Sequence, residues 1–548
     1  MIHQAVGCQL LAENPEFYFL ACEQGTGKTW MVMADAERQL GDGRIGAMFV
    51  LAPKGVHINW TRREIPKHMS VPVRAAHYSA GASRKAKNEI EKLFRPRQDD
   101  ELIVLSMNID AINFAEGYAL AARFLRHYRC MFVVDESGRI KNPTAKRTAK
   151  AVKLGKLAVS RRCASGTPIT QSPADIFSQF EFLAPGQAVL GTDSYRAFVA
   201  EYAELLPDSH ATMRNIRRQA EARARANGRV ARPEEYAAQI IRRDERGLPV
   251  YKNLKKLNGL LKPHMYRVLK KDALPDLPAK IYTTRYFELG AAQRRIYDFV
   301  DEELRIELNG ELETFTALTK QVKLQQLTSG FIIKAGDVFT LGGDGEEDTT
   351  TSELIPRKEN PRMDLLREVI EDVVGSFIIW ARFRQEIVQT CELLTEMGIS
   401  HVEYHGGIKP AARDDAIDAL QAGTARCLVG NAQSAGIGLT LTRAETSIYF
   451  SQSANLEHRL QSEDRNHRIG TKNNVLYIDL CGVDTVDERV TGLLQNKQRV
   501  AHEILDADRI TIEEHLRNRD AIEANESAPV QPALFDDAAE AALLRLLR

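Results

Sequence analysis

Phe17-Tyr-Phe-Leu-Ala21, Cys22, Glu23-Gln24-Gly25-Thr26-Gly27-Lys28-Thr29 and the run Trp30–Leu40 are consecutive, and together they decide the fold. The apolar run predicts a buried strand, the glycine-bearing loop a tight turn, and the run after it a helix. Gly25 and Gly27 let several backbone N–H groups converge on one anion at a helix N-terminus. Lys28 adds a charge for the β- and γ-phosphates of a nucleotide, and the Thr29 hydroxyl can reach Mg²⁺. Cys22 stands where the usual phosphate-loop pattern has its first glycine. A strand, a phosphate loop and a helix in this order imply a parallel α/β sheet with its ligand at the carboxyl ends of the strands.

Further strands can be followed outward from this loop. Ala47–Pro53, Leu102–Ser106 and Cys130-Met-Phe-Val-Val-Asp135-Glu136 are apolar runs separated by helix-length segments. Asp135 and Glu136 end the last of them. There Asp135 can share the Mg²⁺ with Thr29, and Glu136 can orient or deprotonate an attacking water. A second set follows at Phe377–Ala381, His401–Tyr404, Arg426–Val429, Ser447–Phe450 and Val475–Asp479, predicting a second α/β lobe. Downstream, Gln461-Ser-Glu-Asp-Arg465-Asn-His-Arg468-Ile-Gly470 offers two arginines, three apart, that can reach a γ-phosphate from the second lobe.

Composition narrows the class. Lys+Arg and Asp+Glu both total 74 in 548 residues, so net charge predicts no polyanion partner and local charge must decide. The seven cysteines are scattered with no CxxC pair, which argues against a disulfide framework or a structural zinc site. No secretory leader pattern or membrane-length apolar run is visible, and the expectation is a cytoplasmic enzyme.

These ordered motifs resemble superfamily-2 helicase-like ATPases, most closely the SWI/SNF-type double-stranded-DNA translocases, over residues 1–505. His3-Gln4 resembles the adenine-reading glutamine motif. Leu51-Ala-Pro-Lys54-Gly-Val-His-Ile-Asn-Trp60 with Glu64 resembles the "P…nW…E" element. Asp135–Asn142 resembles "DEAHRIKN", Ser165-Gly-Thr167-Pro168 resembles "TGTP", Gln433–Thr442 is similar to "aGGxGLNLT", and Arg465–Gly470 to "RAHRIGQ". The resemblance implies two RecA-like lobes and use of ATP and Mg²⁺. It implies ATP contacts at Gln4, Glu23 to Thr29 and Gly436, coupling residues Ser165, Thr167 and Gln461, and DNA contacts at Lys54, Ser106, His405, Gly406 and Ser434. It makes Arg465 and Arg468 the arginines that complete the ATP site. Gly138 replaces the family's usual histidine, removing the hydrogen bond that often links this motif to "TGTP". Trp60 and Trp380 read as packing residues rather than base-stacking platforms.

The organisation expected is a first lobe over 1–186, a basic helical insertion and linker over 187–272, a second lobe over 273–508 and a C-terminal tail over 509–548. Arg214 to Lys271 carries 17 Lys/Arg against five Asp/Glu. Its helical pattern can lie along a phosphate backbone or form a solvated face. His264–Asp272 with Leu277–Lys280 resembles the family's linker into the second lobe. Residues 311–334 resemble its helix and hairpin, and 341–360 read as an acidic loop. In the tail, Gln531-x-x-Leu534-Phe535 resembles the peptide by which bacterial DNA-processing enzymes dock on the sliding clamp. The same residues can instead open an amphipathic helix ending at Arg548. The expected function is a DNA-stimulated ATPase that translocates along DNA, in bacterial or bacteriophage DNA repair or replication. A strand-separating helicase and an ATP-gated DNA-binding scaffold in a defence system are the alternatives.

Overall fold

The structure is a computed structural model and describes residues 1–81, 83–226, 230, 240–310, 314–334, 350–434 and 439–506. Two parallel sheets, each covered by helices, form its two lobes. The first contains β1 (Phe17–Leu20), β2 (Ala47–Ala52), β3 (Val73–Tyr78), β4 (Leu102–Asn108), β5 (Cys130–Asp135), β6 (Ser160–Ala164) and β7 (Met265–Tyr266). Their order is β3-β4-β2-β5-β6-β1-β7. Every residue of β2 and β5 is buried, as expected for central parallel strands covered on both faces. β5, between β2 and β6, delivers Asp135 to the same end of the sheet as the loop after β1.

The second sheet begins with β8 (Lys280–Phe287). After it come a small antiparallel hairpin, β9 (Phe331–Lys334) with β10 (Thr350–Glu353), and then β11 (Ser376–Trp380), β12 (His401–Tyr404), β13 (Cys427–Gly430), β14 (Ala444–Tyr449) and β15 (Val475–Gly482). The sheet order is β12-β13-β11-β14-β15-β8. The expected acidic loop is therefore shorter than its sequence suggested: Thr350–Glu353 is a strand because it pairs with β9, and Arg357–Glu359 is one 3₁₀ turn. Residues 335–349 lie outside the described residues.

Three strands escaped the sequence pattern in the first lobe (β3, β6 and β7), and β8 and β10 in the second. β7 falls in the stretch grouped by sequence with the insertion, yet it pairs with β1 and closes the first sheet. β6 reads Ser-Arg-Arg-Cys-Ala, and its polarity hides a strand. Arg162 is fully buried there because its guanidinium meets Asp35 at 2.9 Å and donates to the carbonyls of Asn14 and Pro15. Asp35 belongs to the helix Lys28–Gly41 that follows the phosphate loop, so the pair ties that helix to the strand leading into Ser165.

The insertion is only partly helical. Helix Ala211–Ala226 exposes Arg214, Arg217, Arg218 and Arg225 while burying Met213, Ala220 and Ala224. Arg242 and Arg243 instead lie on extended chain, where Leu205 pairs with Ile241 and Arg243 with Pro249. Helix Val486–Leu505 joins the lobes. Val486, Val490 and Leu494 enter the second lobe's core, and Val500, Ile504 and Leu505 enter the first lobe's.

Arg162→Met takes from Asp35 its fully buried cation, leaving it Arg38 at 2.8 Å and the Gln39 amide at 3.1 Å, and is expected to cost about 3 kcal/mol in the urea transition. Pairing it with Asp35→Leu should recover most of that loss. An unchanged midpoint in the single variant would show that the pair does not hold helix to strand.

Candidate active site between the two lobes

Gly25 and Gly27 sit at φ 83° and 90°, a region L-residues avoid, and this folds the loop around its own amides. A Cβ on Gly27 would lie 2.0 Å from Gln4 Nε2. Gln4 Nε2 donates to the Thr26 carbonyl at 3.4 Å, and the buried His3 ring bonds the same oxygen at 2.9 Å. The Tyr266 hydroxyl donates to the His3 carbonyl at 2.9 Å, so β7 anchors the N-terminal helix Ile2–Glu13 on the loop. Burial holds the His3 pKa below its ordinary value, which keeps the ring neutral. The sequence quoted His3 beside Gln4 in the glutamine motif but gave it no role of its own.

Lys28 is buried, and its ammonium donates to the carbonyls of Cys22 at 2.8 Å and Glu23 at 3.1 Å. Glu23 turns its carboxylate to the Lys270 backbone N–H at 2.6 Å, while Gln24 packs against Gly166. Thr29 stands half-buried at the start of the helix. The glycine cradle, the buried ammonium and the hydroxyl–carboxylate pair of Thr29 and Asp135 are a donor set that fits a nucleotide triphosphate with its divalent cation.

Asp135 is buried, and Trp60 Nε1 donates to its Oδ2 at 2.8 Å. Trp60 thus does more than pack: it fixes the carboxylate's orientation, a role that apolar periodicity cannot reveal. Burial raises the Asp135 pKa, with the Trp60 bond and Lys28 opposing it. Glu136 follows in left-handed backbone at φ 51°, which turns its carboxylate out of the strand direction toward the cleft. Its pKa is raised to about 7, first by burial and further by Asp135 and Glu457, against the pull of Lys28 and Arg465. Ser165 Oγ lies 3.5 Å from Glu136 Oε2 and accepts from the Thr167 N–H at 3.2 Å.

The second lobe brings Arg465 within electrostatic reach of Glu136. Arg465 is buried, and its pKa is lowered to about 10 by burial and by Arg468, with Asp464 and Glu136 opposing. Arg468 is turned the other way and donates to the Leu439 carbonyl at 2.7 Å and to Thr440 Oγ1 at 3.1 Å. Gln461 donates to Glu457 at 3.2 Å on the same helix, Leu456–Asn466. Across the cleft, Lys270 Nζ donates to Asp464 and to the His467 carbonyl, and Gln171 Nε2 to Asn455 at 3.4 Å.

Lys54 and Gly406 are exposed, and His405 and Ser434 are half-buried. His405 Nδ1 accepts from the Gly407 N–H at 3.1 Å, leaving Nε2–H to donate to Glu403 at 3.2 Å. Ser106 departs from expectation as a DNA contact: it is fully buried within β4, between covering layers, and offers no atom to a ligand outside the sheet. Gly436 lies outside the described residues, as do Gln531, Leu534 and Phe535. Among the described residues no group of three or more His, Cys, Asp or Glu side chains is placed to hold a metal ion, and no helix is long and apolar enough to cross a membrane.

Residues 10–330 match the SNF2-related domain, and residues 361–470 match the helicase conserved C-terminal domain. Similar proteins include an uncharacterized ATP-dependent helicase of Mycoplasma pneumoniae, 24% identical over 93% of this chain and 42% of its own length. The ATP-dependent helicase FUN30 of Saccharomyces cerevisiae is 22% identical over 96% of this chain and 48% of its own. Human TATA-binding protein-associated factor 172 is 25% identical over 70% and 21%. The chain therefore spans less than half the length of these relatives. Among solved structures, the Sulfolobus solfataricus SWI2/SNF2 ATPase core in complex with dsDNA is 21% identical, covering 94% of this chain and 95% of that one at a TM-score of 0.34. The chain belongs to the SNF2-related family and carries the paired domains of its ATP-dependent helicases.

The raised Glu136 pKa has a sign that can be tested. The folded state holds its proton to higher pH than the unfolded chain does. Its contribution to stability is therefore full below the ordinary carboxylate range and is lost as pH rises toward 7. Glu136→Gln, always neutral, should raise the Tm by a few degrees at pH 8 and hardly at all at pH 5, while turnover falls by about 10²-fold or more. Equal melting at pH 8 would overturn the burial account, and normal hydrolysis would overturn the role of Glu136.

Proposed function

We propose that this SNF2-related chain is a DNA-stimulated ATPase that translocates along duplex DNA as its lobes open and close on ATP. The observation that carries the reading is that the cleft brings Glu136 of one lobe within electrostatic reach of Arg465 from the other. Neither lobe alone holds both a carboxylate for water and a guanidinium for developing phosphate charge. Bound MgATP would supply the phosphoanhydride bond and a Lewis acid. Lys28 and the loop amides would hold the phosphates, Asp135 and Thr29 would hold the cation, and Glu136 would orient the attacking water. Arg465 offers its charge from the second lobe, and Arg468 joins it by leaving the Leu439 and Thr440 contacts on closure.

The exposed arginines of helix Ala211–Ala226, with Lys54 and the Tyr404–Gly407 turn, form the surface that takes the DNA backbone. Such contacts neutralise phosphates without reading sequence. Docking of residues 531–535 on a sliding clamp rests on their sequence pattern alone. Titrating a peptide spanning 526–537 against a bacterial clamp tests it, and no binding removes it.

ATPase measured with no nucleic acid, single-stranded DNA, duplex DNA, forks and RNA, beside triplex displacement and unwinding, separates translocation from strand separation. Duplex DNA should stimulate most, with triplex displaced and little unwinding. Lys28→Ala should lose most nucleotide affinity, whereas Arg468→Ala should keep it and lose turnover. Stimulation should fade steeply with salt, and replacing Arg214, Arg217, Arg218 and Arg225 by Gln should flatten that slope. An unchanged slope would make this helix a solvated face.

A further inference from the structure

With glycine at position 138, the acidic-pair turn has no side chain there to hold the Ser165–Pro168 loop. The two are nevertheless joined, through Gln179 on the helix Phe177–Leu183. Gln179 and Ser137 are both fully buried. The Gln179 amide donates to the Pro168 carbonyl at 2.8 Å and to the Asp175 carbonyl at 2.7 Å. Two carbonyl partners fix which end of the amide is nitrogen, so the oxygen faces Ser137 and accepts from its hydroxyl at 2.7 Å. Every polar atom of this side chain is thus used, and each bond goes to a different segment.

The connection continues to the other lobe. Asp175 Oδ2 accepts from the backbone N–H groups of Thr170 at 2.9 Å and Gln171 at 2.8 Å. The Gln171 side chain crosses to Asn455 and accepts from Lys497. A continuous series of satisfied polar groups therefore runs from Ser137, next to Glu136, to the second lobe.

We propose that Ser137 and Gln179 are positioning residues that make the Asp135-Glu136 turn and the Ser165–Gln171 loop move as one unit, so that lobe contact sets the geometry for hydrolysis. This rests on the ATPase reading above. The link touches neither phosphate nor DNA, so its loss leaves nucleotide binding intact and misplaces Glu136. A displacement of about 1 Å at such a centre costs up to about 10²-fold in rate.

A buried amide replaced by leucine of similar size tests it. Gln179→Leu and Ser137→Ala should each keep the KM for ATP within about twofold and lose about tenfold in DNA-stimulated kcat. The double variant should be little worse than either single one, because both break the same link. A Cβ on Gly138 would have only the Thr167 carbonyl near it, at 3.6 Å, so Gly138→His has room for a donor aimed at that loop. Added to Gln179→Leu, it should restore most of the lost kcat. Wild-type kcat in both single variants overturns the proposal. So does a loss that follows a drop in Tm and is not restored by Gly138→His. If no nucleic acid stimulates the wild type, the DNA reading fails, and the link is judged by the same kcat-against-KM split in basal turnover.

Discussion

Four ionisable groups share one poorly hydrated cleft: Lys28 and Arg465 on the positive side, Asp135 and Glu136 on the negative. Removing such charges from water costs several kcal/mol per ion unless partners replace the solvent. The surrounding structure is largely that replacement. Trp60 gives Asp135 a donor, the Cys22 and Glu23 carbonyls receive Lys28, and the left-handed turn at Glu136 keeps two carboxylates from pointing at one spot. The second lobe contributes the balancing cation, so charge neutrality of the cleft is a property of both lobes together.

Much of this was legible in the sequence, and the part that was not has a physical explanation. Central strands such as β2, β5 and β11 are apolar over nearly all their length because helices cover both faces, and a run of that kind announces itself. Edge strands carry no such signal. β3 and β8 are half wet and β7 has two residues, while β6, an interior strand, hides behind Arg162, whose partner Asp35 lies 127 residues away. Contacts over such separations leave no local pattern.

The site divides along the same line. Phosphate-loop glycines and strand-end carboxylates are readable because their chemistry demands fixed spacing within one segment. Trp60 and Gln179 are not, since each acts on a segment remote in the chain and is indistinguishable by type from an ordinary interior residue. Ser106 is the converse case: motif position nominated it for DNA, while β4 is covered on both faces and holds it fully buried. Gly138 pointed to a missing contact, and only the coordinates reveal that Gln179 spans the gap from another helix.

The two lobes are crossed by chain twice, once at Arg267–Lys270 and once at helix Val486–Leu505. The crossings meet where Arg267 Nε donates to Asp506 at 3.0 Å, and Asn258, on the helix Leu254–Leu261 ahead of the first crossing, donates to the Ile504 carbonyl at 2.7 Å. A single peptide tether would let one lobe swivel freely about the bond direction. Two tethers fastened side by side resist torsion but yield to bending across the line that joins them. Any relative motion of the lobes is thereby reduced to few degrees of freedom.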